Sequence, residues 1–229
     1  MGASAAPRSR IIVCDTGPLL HLMQIDRLDL LTRLGQVFIP SEVHHEWQRL
    51  EPTRSVPPEF RVVAVEAKWR QRALEWVSAS YMDLGEAMAL ALALQVQANW
   101  FLTDDAAARV LASSLGVEVH GSLGVVLASA AYGYLSYTHA REAINALAFE
   151  STLWVSNRVV QAALQALEDI RNIIPIAEPE FTKTAVDDPL LKVPPASRGN
   201  LACSVPLAKR GEPKGGGQFI NSERAIGIR

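Results

Sequence analysis

The chain has 229 residues, 49% of them hydrophobic, and its 22 Lys or Arg and 24 Asp or Glu give a formal net charge of −2. This size suits one globular domain with a sizeable core and additional residues. Residues 1–179 are mildly acidic, which argues against a protein that coats DNA non-specifically. No apolar run reaches the roughly 18 residues that a membrane span needs without a charged or polar break.

The N-terminus and the cysteines indicate the compartment. The first ten residues, MGASAAPRSR, contain arginines but no apolar segment behind them, so they do not resemble a secretory signal. Cys14 falls in a predicted core strand and Cys203 in a predicted tail, which argues against a disulfide framework. We therefore expect a cytoplasmic protein in which residues 1–9 form a flexible leader.

In the first part of the chain, short apolar strands alternate with helices. Pro18 suits the first turn of a helix, Gly35 suits a helix C-cap, and Ser41 is a candidate N-cap for a helix that begins at Glu42. The predicted strands cover 10–14, 37–39 and 60–65. Four helices are predicted between and after them: one that begins at Pro18, one over 26–34, one that begins at Glu42 and one over 68–77.

The stretch from Asp83 to Arg109 is the centre of the predicted fold. Residues 85–98 are almost entirely Ala, Leu, Met and Val, which predicts a helix buried on most sides. The further predicted strands are 100–103 and 117–120, and the further predicted helices are 106–115, 123–131, 138–148 and 157–173. This alternation predicts an α/β protein with a parallel sheet and helices on both faces.

The composition changes near residue 175. From there Pro, Gly, Lys, Arg and Asp dominate without a periodic apolar pattern, so we predict a domain over 10–175 and a disordered tail over 176–229. Ordering the tail would cost roughly 1–2 kcal/mol per residue with little apolar burial to offset it. Truncation after Pro175 is therefore expected to move the melting temperature by no more than a couple of degrees. A large drop in calorimetry would show that the tail docks on the domain.

Carboxylates occur at the ends of the predicted strands or early in the helices that follow them. They are Asp15, Glu46, Glu86, Asp104 and Asp105. Because the carboxyl ends of parallel strands lie at one edge of a sheet, we expect these side chains to share a pocket. Mg²⁺ and Mn²⁺ prefer several oxygen ligands, so this pattern suits a metal-dependent phosphodiester hydrolase.

Each carboxylate also has a structural alternative. Asp15 could be a turn or N-cap residue, and Asp83–Glu86 fits a capping box in which Glu86 bonds the backbone of Asp83. Glu46 could lie on a solvated helix face, and one of Asp104 and Asp105 is expected to cap the next helix. These alternatives are independent of one another, whereas one acidic pocket explains all of the positions.

Five segments in order resemble the PIN-domain family: IIVCDTGPLLHL, PSEVHHEW, LGEAMALALAL, FLTDDAAAR and GSLGVVL. More narrowly, they resemble the VapC-like subgroup of predicted nucleic-acid-binding proteins, which is related to the toxins of virulence-associated toxin–antitoxin pairs. The similarity runs from about Arg10 to Ile173. Gly17 stands where the family more often has Ser or Ala, and the tail after residue 175 has no recognised counterpart.

The resemblance implies a three-layer α/β/α sandwich whose acidic pocket binds Mg²⁺ or Mn²⁺. The implied activity is endonucleolytic cleavage of single-stranded RNA, with a small antitoxin protein as a frequent inhibitor; assembly as a homodimer stays open. By motif, the catalytic and metal-binding acids would be Asp15, Glu46, Glu86 and Asp105, with Asp104 as an alternative or additional metal ligand.

Three other interpretations compete with a metal-dependent nuclease. The triplet Asp15-Thr16-Gly17 also occurs in aspartic proteases, but those are β-rich, whereas this chain is dominated by Ala/Leu helices. Zinc binding by His44 and His45 is disfavoured, because adjacent histidines point to different faces of a helix and no third ligand is near. A PIN fold that binds nucleic acid or protein without turnover remains the main alternative.

Overall fold

The computed structural model of the protein describes residues 10–173. The predicted leader and the predicted tail lie outside these residues, so both remain predictions. The strands in the described range are β1 (Ile11–Cys14), β2 (Gln36–Pro40), β3 (Arg61–Val63), β4 (Trp100–Leu102) and β5 (Val119–His120). Each coincides with, or falls inside or within one residue of, a strand predicted from a short apolar run.

The helices occupy most of the remaining described sequence. They are α1 (Thr16–Gln24), α2 (Asp29–Leu34), α3 (Ser41–Leu50), α4 (Ala67–Ser78), α5 (Leu84–Gln95), α6 (Ala106–Ser114), α7 (Ser122–Ala131), α8 (Tyr137–Phe149) and α9 (Asn157–Ile173). Within residues 10–173, no helix is both long enough and apolar enough to cross a membrane.

The strands form one parallel sheet in the order β3-β2-β1-β4-β5, as the alternation of elements predicts. The chain moves from β1 outward to β3, then returns to the other side of β1 to add β4 and β5. Cys14 pairs with Leu102, so β1 and β4 end level with each other. The point where the strand order reverses therefore lies between these two carboxyl ends, which is where open α/β sheets bind ligands.

Helices cover both faces of the sheet. On one face α5 packs against β1, β2 and β4, and every residue from Ala87 to Ala93 is buried, which confirms the predicted burial of this helix. On the other face α7 packs against α2, α8 and α9. The result is the expected three-layer α/β/α sandwich, in which the N-terminus of α5 lies at the edge where β1 and β4 end.

Two local predictions were inaccurate. Ser41 is not the N-cap of α3: the chain is still extended at Pro40, and Ser41 is the first helical residue. Helix α5 ends at Gln95 and not at residue 98, because Gln97 has a left-handed φ of 52° and the N–H of Ala98 turns back to the carbonyl of Ala93.

Gly35 is the C-cap of α2, as predicted, but it does not have the left-handed φ that usually favours glycine at this position. Its φ of 172° is extended backbone that any residue adopts. A Cβ there would lie 2.3 Å from the carbonyl oxygen of Arg10, which accepts the hydrogen bond from Gln36 N–H that begins the pairing of β2 with β1. Glycine is therefore required by the close approach of two backbone segments.

Candidate active site

All five predicted acids line one cavity of about 320 Å³ at the carboxyl edge of the sheet, which we call the acidic pocket. Its lining is Asp15, Thr16, Gly17, Leu20, His21, Glu46, Leu50, Asp83, Gly85, Glu86, Asp104 and Asp105. Four elements supply the acids: the end of β1, the second turn of α3, the first turn of α5 and the end of β4. Residues distant in sequence thus meet because parallel strands end at a common edge.

Asp15 is the most buried acid of the pocket, with 6% of its surface exposed. Its side chain makes no capping bond to α1, so a helix cap does not explain it. The hydroxyl of Thr103 donates to its Oδ2 at 3.4 Å. Burial raises the pKa of Asp15 from 3.8 to about 7, and the carboxylates of Glu86 and Glu46 add to the rise, against hydrogen bonds from Thr16 N–H and Thr103.

Glu46 is half-buried and lines the acidic pocket, where it contacts the start of α1. The Thr16 hydroxyl donates to its Oε2 at 2.7 Å, which ties α3 to the start of α1. A Cβ at Gly85 would lie 3.0 Å from the same oxygen, so the absence of a side chain lets the N-terminus of α5 approach Glu46 closely. The solvated-face alternative for Glu46 is therefore wrong.

Glu86 both caps α5 and lines the acidic pocket. Its Oε2 accepts a hydrogen bond from the backbone N–H of Asp83 at 3.1 Å, as the capping box predicts. Partial burial raises its pKa, opposed by that hydrogen bond and supported by the negative charges of Asp105, Asp83 and Glu46. The structural and the functional interpretations of Glu86 are compatible with each other.

The two members of the aspartate doublet have different partners. Asp105 is the N-cap of α6, since its Oδ1 accepts from Ala108 N–H at 2.7 Å, so the prediction that one member caps this helix is confirmed. Asp104 accepts from Ser122 N–H at 2.8 Å, from Ser122 Oγ at 2.5 Å and is 2.8 Å from His21 Nδ1. Asp104 therefore links the end of β4 to α7 and α1.

Four polar residues of this network were not predicted: Thr16, His21, Thr103 and Ser122. Thr103 is fully buried, and its hydroxyl donates to Asp15 and accepts from the backbone N–H of Asp105 at 3.2 Å, so it couples the ends of β1 and β4. The available signal was position, because Thr16 directly follows Asp15 and Thr103 directly precedes the doublet.

The donor set of the pocket suits a hard divalent cation. Carboxylates dominate it, and among the described residues that line it none is Lys or Arg. The raised pKa of Asp15 comes mainly from burial, and the neighbouring charges of Glu86 and Glu46 add to it, so a bound cation would favour the ionised form. As the side chains stand in residues 10–173, however, no three His, Cys, Asp or Glu are grouped closely enough to hold an ion. Side-chain movements would be needed to bring the oxygens together.

A family model described as a PIN domain matches residues 11–169, from the first residue of β1 to the last turns of α9. The chain belongs to the PIN-domain family. No curated protein matches it. PIN domains are in general nucleases that use divalent metal ions, and the acidic pocket of this PIN domain has the location and the oxygen donors that such chemistry requires.

Proposed function

We propose that this PIN domain is a metal-dependent endoribonuclease that cleaves single-stranded RNA. The observation that carries the proposal is the convergence of the five predicted acids, from four elements, on one pocket at the point where the strand order of the sheet reverses. Asp15, Glu46, Glu86 and Asp105 would hold Mg²⁺ or Mn²⁺. When bound, such an ion supplies Lewis-acid activation of a water and neutralises charge on the scissile phosphate.

The residues around these acids orient them. Thr16 fixes the carboxylate of Glu46, and Thr103 fixes Asp15 while it also holds the backbone of Asp105. Asp104 belongs to the proposed metal-binding set, but both of its oxygens already accept hydrogen bonds from Ser122 or contact His21. It can therefore contribute an oxygen to an ion only by giving up or sharing one of these contacts.

The direct test compares the purified protein on labelled single-stranded RNA, the matching RNA duplex and single-stranded DNA of the same sequence. We expect internal cleavage of the single-stranded RNA with Mg²⁺ or Mn²⁺ and none with excess chelator, because carboxylates cannot stabilise an attacking water and an anionic phosphate unaided. Equal cleavage with and without chelator would overturn the metal mechanism, and preference for DNA would overturn the substrate assignment.

A catalytically silent binding module is the second candidate, and one observation favours it. Each of the five acids already has a hydrogen-bonding or charged partner within the protein, and no three metal-binding side chains of the described range are grouped at ligand distances. Calorimetric titration with Mn²⁺ separates the two candidates. Stoichiometric binding that is lost in Asp15→Asn supports the nuclease, whereas no binding supports the silent module.

We further propose that the protein acts as the toxin of a toxin–antitoxin pair, on the strength of its resemblance to VapC-like proteins. An inhibitor protein would need an apolar contact surface beside the pocket. Exposed Leu50, which lines the pocket, and exposed Leu84, which is next to Gly85 in the chain, would supply one. Expression in bacteria tests this proposal: growth should stop with the wild-type chain and continue with Asp15→Asn. A short DNA-binding protein encoded by the neighbouring gene should restore growth when co-expressed.

Gly121→Ala is expected to lower cleavage on the order of 100-fold, because a displacement of about 1 Å at an active site has an effect of that size. The new Cβ would lie 2.5 Å from Asp104 Oδ1 and would push the carboxylate away from Ser122. Gly17→Ala is the control, since its Cβ would meet His21 and Asp104 at 3.8 and 4.0 Å, which is ordinary contact. Equal rates for the two variants would show that the position of Asp104 does not matter.

A further inference from the structure

A second cavity adjoins the acidic pocket and has a different chemistry. This side cavity, of about 740 Å³, shares Asp104 and Asp105 with the acidic pocket and is otherwise lined by Ala106, by Arg109 and by residues of the 119–124 and 153–159 segments. Its volume falls in the range of small-molecule binding sites. Its lining is mainly apolar, whereas carboxylates dominate the acidic pocket. A single ligand could therefore place a charged group at the acidic pocket and an apolar ring in the side cavity.

Trp154 is the most exposed large apolar side chain of the side cavity, with 90% of its surface accessible. Its neighbours on the chain are held in place: Leu153 is buried and Val155 packs against the core. The N–H and hydroxyl of Thr152 both donate to Gln24 Oε1, at 2.8 and 3.1 Å, which anchors the segment to the end of α1. The anchored segment therefore presents an indole to solvent beside the cavity, where a flat ring can stack on it.

Arg109 supplies the cation that the acidic pocket lacks. Its guanidinium donates to the carbonyl oxygen of Thr103 at 3.2 Å and lies where a Cβ on Gly121 would come within 3.2 Å of it. It is therefore fixed where the two cavities meet. A guanidinium has five N–H donors and suits phosphate oxygens. Proteins bind single-stranded nucleic acid by pairing positive charge with its anionic backbone and by stacking exposed aromatic rings on its bases.

We propose that the side cavity is the binding site for a nucleotide adjacent to the scissile phosphate, whose base stacks on Trp154 and whose phosphate contacts Arg109. This inference rests on the proposed function, because it takes the acidic pocket as the place of cleavage. In this proposal Trp154 binds substrate and does not touch the reacting atoms, so its substitution should change KM and not kcat. Stacking recognises the face of a base, so the site should tolerate any of the four bases but not a missing one.

The test uses a short fluorescent single-stranded RNA with its cut position mapped, and measures kcat and KM for Trp154→Ala, Trp154→Phe and a control. We expect Trp154→Ala to raise KM about 10-fold or more with kcat little changed, and Trp154→Phe to retain most of the affinity. Phe149→Ala is the control, because Phe149 is a 73% exposed aromatic residue that lines neither cavity. Its KM should equal that of the wild type.

Abasic substitutions identify the base. An abasic substitution at one position beside the cut should raise KM for the wild type but leave KM unchanged for Trp154→Ala. The reason is that removing the base and removing the indole abolish the same contact. Unchanged KM in Trp154→Ala, with cleavage intact, would overturn the base site while the proposed function stands. If Trp154→Ala instead weakened the binding of a partner protein while KM for the RNA was unchanged, the base site would be overturned and the side cavity would be assigned to that partner.

The binding site and the nuclease proposal fail in different ways. Fluorescence anisotropy of the same RNA in Ca²⁺ reports binding without relying on turnover. If the wild type cleaves no RNA but binds it, and Trp154→Ala weakens that binding about 10-fold or more while Phe149→Ala does not, then the base site is supported and the nuclease proposal is wrong. If neither variant changes binding in Ca²⁺, the base site is wrong whatever the cleavage assay shows.

Discussion

Asp15→Asn is expected to lower metal-dependent RNA cleavage by orders of magnitude while the protein remains folded. Asp15 is the most buried acid of the pocket and follows the central strand, where the charges of Glu86 and Glu46 act on it. Asparagine keeps an oxygen that can accept from Thr103, but it removes the negative charge that a hard cation requires. The measurement is the single-turnover cleavage rate at saturating Mn²⁺, with circular dichroism as the check on folding.

The same substitution is expected to stabilise the metal-free protein at alkaline pH. The pKa of Asp15 is about 7 in the folded protein against 3.8 ordinarily, so the folded state binds its proton more tightly than the unfolded state does. Ionised Asp15 therefore destabilises the fold progressively as pH rises from about 4 to about 7, by at most about 4 kcal/mol. Asparagine cannot ionise, so the melting temperature of Asp15→Asn should exceed that of the wild type at pH 8 and approach it at pH 5.

Asp29→Asn is the matched control for the charge itself. It also removes one carboxylate, but Asp29 lies on the surface, half exposed, in an i,i+4 pair with Arg33. Such pairs contribute less than about 1 kcal/mol, so neither cleavage nor the pH dependence of melting should change. Undiminished cleavage by Asp15→Asn, or by the wild type in excess chelator, would contradict the proposed mechanism.

The strands and helices of residues 10–173 were predictable because their signals are local. A short apolar run such as Trp100–Leu102, bounded by Asn99 and by two aspartates, has few alternatives to a buried strand. The strand order was not predicted beyond a parallel sheet, since alternation of elements does not specify on which side of β1 the fourth strand is added. That choice depends on packing, in particular on how helix α5, with its buried apolar residues from Ala87 to Ala93, covers β1, β2 and β4.

The acids of the pocket were predictable from the same strand ends, but their partners were not. Thr16 bonds a residue 30 positions away, His21 one 83 positions away and Thr103 one 88 positions away. No local pattern encodes such distances, and a threonine in an apolar strand has many ordinary explanations. Trp154 was missed for a related reason. It stands out only because its side chain is exposed in the cavity beside the acidic pocket, which its neighbours in sequence do not indicate.

Glu86→Gln separates the capping role of this side chain from its proposed role as a metal ligand. As a cap, Glu86 accepts from Asp83 N–H, and the amide oxygen of glutamine accepts almost as well. Even complete loss of a cap costs only about 0.5–2 kcal/mol, which does not unfold a domain of this size. As a metal ligand, Glu86 must supply negative charge, and glutamine does not.

We therefore expect Glu86→Gln to fold normally, to melt at or slightly above the metal-free wild type, and to lose most metal-dependent cleavage. The slight gain in melting temperature follows from the raised pKa of Glu86, because partial burial, and after it the charges of Asp105, Asp83 and Glu46, oppose its ionisation in the folded protein. Glu59→Gln, in an exposed loop, is the control and should behave as the wild type in both assays. If Glu86→Gln cleaves RNA at the wild-type rate, Glu86 serves only as the cap of α5, and the metal site must be built from Asp15, Glu46 and the aspartate doublet.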